Sequence, residues 1–84
     1  MFKLTLNINE KDFESTGATA GEAYDNLKID LGTVFKTRGV LKLEKGTKSS
    51  ELIVYVNQIR KAFGKFPNKI FREIFTKKLE TLLK

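Results

Sequence analysis

Five cations, Arg60, Lys61, Lys65, Lys69 and Arg72, fall in a stretch that contains no acid. Side chains of this type attract phosphate oxygens through charge alone, giving salt-sensitive and sequence-independent binding. The stretch runs into a segment opened by Phe66-Pro67-Asn68, where a helix start would add unsatisfied backbone amides to the same anion site. Lys42 and Lys48 are secondary candidates for phosphate contact. The charge is segregated along the chain. Residues 1–35 hold three Lys and six acids, whereas residues 36–84 hold thirteen Lys or Arg and four acids, and the whole carries +6.

The expected partner is therefore DNA or RNA, which this pattern does not distinguish. The alternative is a protein-interaction module, an adaptor or inhibitor that meets an acidic partner. A lysine-rich solvated surface with no partner competes with both. Phe63 and Phe66 interleave with the cations. Core packing is their expected role, and stacking on bases is the functional alternative.

Catalytic chemistry finds little to work with. The chain has no Cys and no His, which removes disulfides, thiolate nucleophiles, the usual neutral-pH base and the commonest metal ligands. Ser49 and Ser50 lack a histidine partner. Glu22, Asp25 and Asp30 do not converge on one helix face, since Asp25 and Asp30 are about 140° apart at helical pitch. Gly64, in Ala62-Phe63-Gly64-Lys65-Phe66, lacks the glycine spacing and the Lys-Ser/Thr pair of a phosphate loop and reads as a turn. Gly46-Thr47-Lys48-Ser49 reads as a hairpin turn for the same reason. No cofactor is expected, and the protein is not expected to be an enzyme.

Elements to position these residues follow from periodicity. Phe2, Leu4, Leu6 and Ile8 alternate with Lys3, Thr5 and Asn7, as in a half-buried strand rather than a signal peptide. Residues 9–18 are acidic, small and glycine-containing, and read as a loop pinned by Phe13. Thr19-Ala20-Gly21-Glu22 has capping-box spacing and should open a helix over 20–38. Its stripe is Tyr24, Leu27, Leu31, Val34 and Phe35, with Gly39 as the left-handed residue that ends it and Ile29 nearly opposite the stripe. Residues 40–44 and 51–56 read as a hairpin, although Leu52, Tyr55, Val56, Ile59 and Phe63 also fit a helical stripe. Residues 58–66 read as an irregular or short helical connector.

A final helix over 67–84 carries Ile70, Phe71, Ile74, Phe75, Leu79, Leu82 and Leu83 around well over half its circumference. Such an arc needs two surfaces to cover it. The second would be the hairpin within one subunit or another copy of the chain, so a homodimer through this helix is one of two readings.

One domain fits 84 residues, of which 40% are hydrophobic, including seven Phe. The expected fold is α+β: a two-layer β-α-β-β-α domain with two helices against a three-stranded sheet. No segment approaches the roughly 20 apolar residues that span a bilayer. A soluble, cytoplasmic protein is expected.

Overall fold

The computed structural model describes residues 1–30, 38–64 and 67–83. It is an α+β fold, with a four-stranded antiparallel sheet and three helices among the described residues. The elements are β1 (Phe2–Ile8), β2 (Lys11–Gly17), α1 (Ala20–Asn26), β3 (Arg38–Lys45), β4 (Lys48–Tyr55), α2 (Val56–Phe63) and α3 (Lys69–Leu82), and the sheet order is β2-β1-β3-β4.

The period-two pattern places the core. Leu4, Leu6 and Ile8 of β1 point to the same side as Leu41 and Leu43 of β3 and Val54 of β4, and all are buried. The described helices cover this side alone, with α1 over β2 and β1 and α3 over β4 and β3. From the helices come Ala20, Ala23, Tyr24, Ile59, Ala62, Phe75 and Leu79. Burying each large aliphatic side chain is worth about 1.5–3 kcal/mol. Ser50 is buried among them, and its hydroxyl donates to the carbonyl of Leu79 at 2.7 Å.

The first difference from the expected three strands is β2, which occupies the stretch read as a loop. A two-residue turn, Asn9 (φ 56°) and Glu10 (φ 63°), folds it back onto β1 with Ile8 opposite Lys11. Positive φ at both central residues is the type I′ geometry that matches strand twist. The inward residues of β2 are Phe13, Ser15 and Gly17, mostly small because α1 lies directly on them. A Cβ added to Gly17 would collide with the backbone of Ala23 and stand 2.8 Å from the Glu22 carbonyl carbon. The Ser15 hydroxyl donates to the Ala23 carbonyl, and the Asn26 side-chain Nδ2 donates to the Thr16 carbonyl at 3.0 Å.

The second difference is the length of α1. Thr19 caps it as expected, accepting from the Glu22 amide at 3.0 Å, but it ends at Asn26 instead of Arg38. Leu27 is already extended at φ −72°, ψ 123°. Leu27 and Ile29 both pack against the core. Two residues apart, they share one side of an extended chain but lie about 200° apart on a helix, so burying both excludes the helical path. Residues 31–37, with the rest of the expected stripe, lie outside the described residues.

Gly39 is not a helix terminator. It sits buried in β3, where an added Cβ would stand 2.8 Å from the Asn7 carbonyl oxygen and 3.0 Å from the Ile8 Cβ.

The third difference is α2. The strand predicted to include Val56 stops at Tyr55, and the connector, read as irregular or short helical over 58–66, is a short helix that begins earlier, from Val56 to Phe63. The Tyr55 amide donates to the Gln58 side-chain oxygen at 3.0 Å and fixes the corner. The final helix is shorter than 67–84: Asn68 caps it through the Ile70 amide at 3.1 Å, and it runs from Lys69 to Leu82.

Candidate nucleic-acid interface

Helices α2 and α3 with their flanking residues carry the entire net charge. Residues 1–55 hold eight cations and eight acids, whereas residues 56–84 hold eight cations and only Glu73 and Glu80 against them. The sheet and α1 are thus neutral in sum, and the +6 falls in residues 56–84 of the sequence.

On α2 the buried residues Ile59 and Ala62 define one side, and Asn57, Arg60 and Lys61 are exposed on the other. The backbone then brings the start of α3 to this helix, because the Asn68 amide donates to the Lys61 carbonyl at 2.7 Å. Lys69, exposed in the next position, therefore lies beside the last turn of α2. Arg60, Lys61 and Lys69 take part in none of the ion pairs among the described residues.

The other sequence candidates are placed differently. Arg72 lies against α1, where its Nε and Nη2 donate to the two carboxylate oxygens of Asp25 at 2.8 and 3.0 Å. Its guanidinium occupies the space over Gly21, 2.5 Å from where a Cβ would be. The bond to Asp25 and the attraction of its charge raise the Arg72 pKa further above its ordinary value. Lys42 is on the side of the sheet that no described helix covers, cross-strand from Glu51 and 4.0 Å from Glu44. Lys48 starts β4 at the hairpin tip opposite Lys45. A strand of this length spans about 23 Å, which separates Lys48 from the end where α2 begins. Lys65 lies outside the described residues. The fold therefore groups Arg60, Lys61 and Lys69 and disperses Arg72, Lys42 and Lys48.

The aromatic expectation divides in the same way. Phe63 is half-buried and its ring stands 4.7 Å from that of Tyr24, centroid to centroid, so it belongs to the core. Phe66 lies outside the described residues. The Tyr24 hydroxyl is buried with no hydrogen-bond partner among the described residues. Burial first, and the neighbouring Asp25 charge second, raise its pKa well above the ordinary phenol value.

The uncovered face of the sheet contains residues whose grouping the sequence reading did not identify. Its cross-strand neighbours are Thr16, Lys3, Glu44 and Ser49 in one row, then Glu14, Thr5, Lys42 and Glu51, then Asp12, Asn7, Val40 and Ile53, and last Arg38 and Tyr55. The first two rows mix two cations with three acids, with Lys3 3.6 Å from Glu14 and Lys42 beside Glu44. The last two rows on β3 and β4 hold no acid. Ile53 is 53% exposed there and Tyr55 55%. The signal was available as the alternation Arg38, Val40, Lys42, Glu44 against Glu51, Ile53, Tyr55.

On α3, Phe75 and Leu79 are buried, but Ile70 and Leu82 remain about half exposed and Ile74 more than a third. Lys77 sits 3.0 Å from Glu73 one turn earlier and holds its carboxyl below the ordinary range. No group of three or more acids suited to a metal occurs among the described residues, and no described helix is long and apolar enough to cross a membrane. Comparison with family models, curated proteins and solved structures returns no match.

Proposed function

We propose that this chain is a small nucleic-acid-associated accessory protein that holds phosphate backbones against the exposed side of α2 and the start of α3. The observation that supports this reading is the confinement of the net charge to residues 56–84, with Arg60, Lys61 and Lys69 grouped and outside every ion pair among the described residues. Cations presented in this way release counterions when they meet phosphates. Affinity should then fall with salt along a slope of about −0.9 per contact on duplex DNA. Three contacts imply a slope near −3.

The test is a salt-series titration against duplex and single-stranded DNA and RNA. Arg60→Glu with Lys61→Glu should abolish binding while the thermal transition stays in place, because both side chains are exposed. Absence of saturable binding to all four nucleic acids at low salt would reject this function.

The exposed Ile70, Ile74 and Leu82 favour a second reading, in which α3 packs against another protein. A second copy would bring two layers of like charge together, so an acidic partner fits this surface better than self-association. Sedimentation over a wide concentration range tests the homodimer directly.

A further inference from the structure

We infer that the β3–β4 end of the uncovered sheet face is a stacking platform for single-stranded nucleic acid, with Tyr55 as the ring under a base and Arg38 as the flanking cation. This rests on the nucleic-acid reading and narrows it to a substrate class and a second surface. Arg38 and Tyr55 are direct cross-strand partners, and Val40 and Ile53 form the next pair on the same face. Neither pair contains an acid, whereas the rows beyond them interleave Lys3 and Lys42 with Glu14, Glu44 and Glu51. An exposed ring beside an exposed guanidinium on a sheet face offers one base a π-surface and its phosphate a counter-charge. A duplex, whose bases are already stacked on one another, cannot use the ring.

Two features set this corner apart from a stray exposed aromatic. The Tyr55 backbone is held by the hydrogen bond its N–H donates to the Gln58 side-chain oxygen, so the ring projects from a fixed point. Helix α2 begins at the next residue and, at eight residues, extends only about 12 Å. Arg60 and Lys61 thus follow Tyr55 by no more than that helix length along the chain, on the helical layer rather than on the sheet face that carries the ring. Beside Arg38 a shallow groove of about 340 Å³ runs to the β1–β2 turn, with Asn7 and Glu10 on its rim. Glu10 repels phosphate but accepts hydrogen bonds from base amino groups, so the groove suits a base edge and leaves the backbone outside.

The experiment compares an oligothymidine and a mixed-sequence single strand with a duplex, at low salt, for the full chain and for Tyr55→Thr, Tyr55→Phe and Arg38→Ala. Threonine keeps a strand-forming residue at the position, and far-ultraviolet circular dichroism confirms the fold of each variant. Tyr55→Thr should weaken single-strand binding at least about fivefold and leave duplex binding within about twofold. Tyr55→Phe should bind like the unaltered chain, because the ring and not the hydroxyl makes the contact. Arg38→Ala should weaken the single strand more than the duplex.

Equal losses on both substrates, or none for Tyr55→Thr, would overturn the platform. If Arg60→Glu with Lys61→Glu still abolishes binding in that case, the proposed function stands and this inference alone falls. If no nucleic acid binds and Tyr55→Thr instead shifts the sedimentation coefficient, the patch is a self-association surface and both readings fall.

Discussion

Arg72 and Asp25 lie 47 residues apart in the chain and meet in a two-pronged ion pair that ties α3 to α1. The pair withdraws the last cation of the acid-free stretch from the surface that Arg60, Lys61 and Lys69 form. Asp25→Asn removes the charge that holds Arg72 and should release the guanidinium toward a bound polyanion. Nucleic-acid affinity at low salt should rise and the salt slope should steepen by about one. The melting temperature should fall only slightly, since both side chains are about half exposed and such pairs are weak. Arg72→Ala should leave affinity unchanged in the native background and reduce it in the Asp25→Asn background. Equal effects in the two backgrounds would show that Arg72 is not held in reserve.

The hydroxyl of Ser50 serves the end of α3. The last four carbonyls of a helix have no partner inside it, and that of Leu79 is met by this buried side chain of β4. Ser50→Ala leaves the carbonyl buried and unpaired, at a cost of about 1–3 kcal/mol. In a domain of this size each kcal/mol lowers the melting temperature by about 4–8 °C. Thermal unfolding measures the loss, and hydrogen exchange should show the weakening concentrated at the C-terminal turns of α3. A Ser50→Ala variant that melts with the parent would show that water replaces the hydroxyl there.

What could be read from the sequence was whatever repeats along the chain. The alternation of β1, the Thr19 cap and the apolar stripe of α3 are local patterns, and the structure contains them. Strand β2 was hidden because its inward residues Ser15 and Gly17 are small, selected by the closeness of α1 rather than by burial of large side chains. The end of α1 was hidden because Leu27 and Ile29 are both apolar, and only their shared contact with the core distinguishes extended chain from helix. Gly39 reads equally well as a helix terminator or as a strand glycine until Asn7 and Ile8 are seen pressed against it. At the candidate interface, the grouping of Arg60, Lys61 and Lys69 was legible as a run of charge. The diversion of Arg72 depends on Asp25, which no spacing rule links to it. The Arg38–Tyr55 pair needed the β3–β4 register, set by the turn at Gly46, whose φ of 61° permits a two-residue hairpin.

Tyr24 makes the stability of the domain depend on alkaline pH. Its hydroxyl is buried without a partner among the described residues, beside Asp25, and its pKa is raised in the folded state. In the unfolded chain the phenol ionises near its ordinary value of about 10. Above that pH the unfolded state loses a proton that the folded state keeps, so stability falls as pH rises. The contribution is fully present below about pH 10 and is lost progressively toward the raised folded value. Tyr24→Phe removes the ionisation and keeps the ring against Phe63. It also removes a buried polar atom that has no hydrogen-bond partner among the described residues, so at neutral pH the variant should equal or exceed the parent in stability. Denaturant unfolding of both proteins across pH 8 to about 11.5 separates this effect from the titration of the lysines, which the two share. The parent should lose stability more steeply above about pH 10. Parallel curves would show that the hydroxyl reaches solvent in the folded protein, and a less stable Tyr24→Phe at neutral pH would show that it has a hydrogen-bond partner.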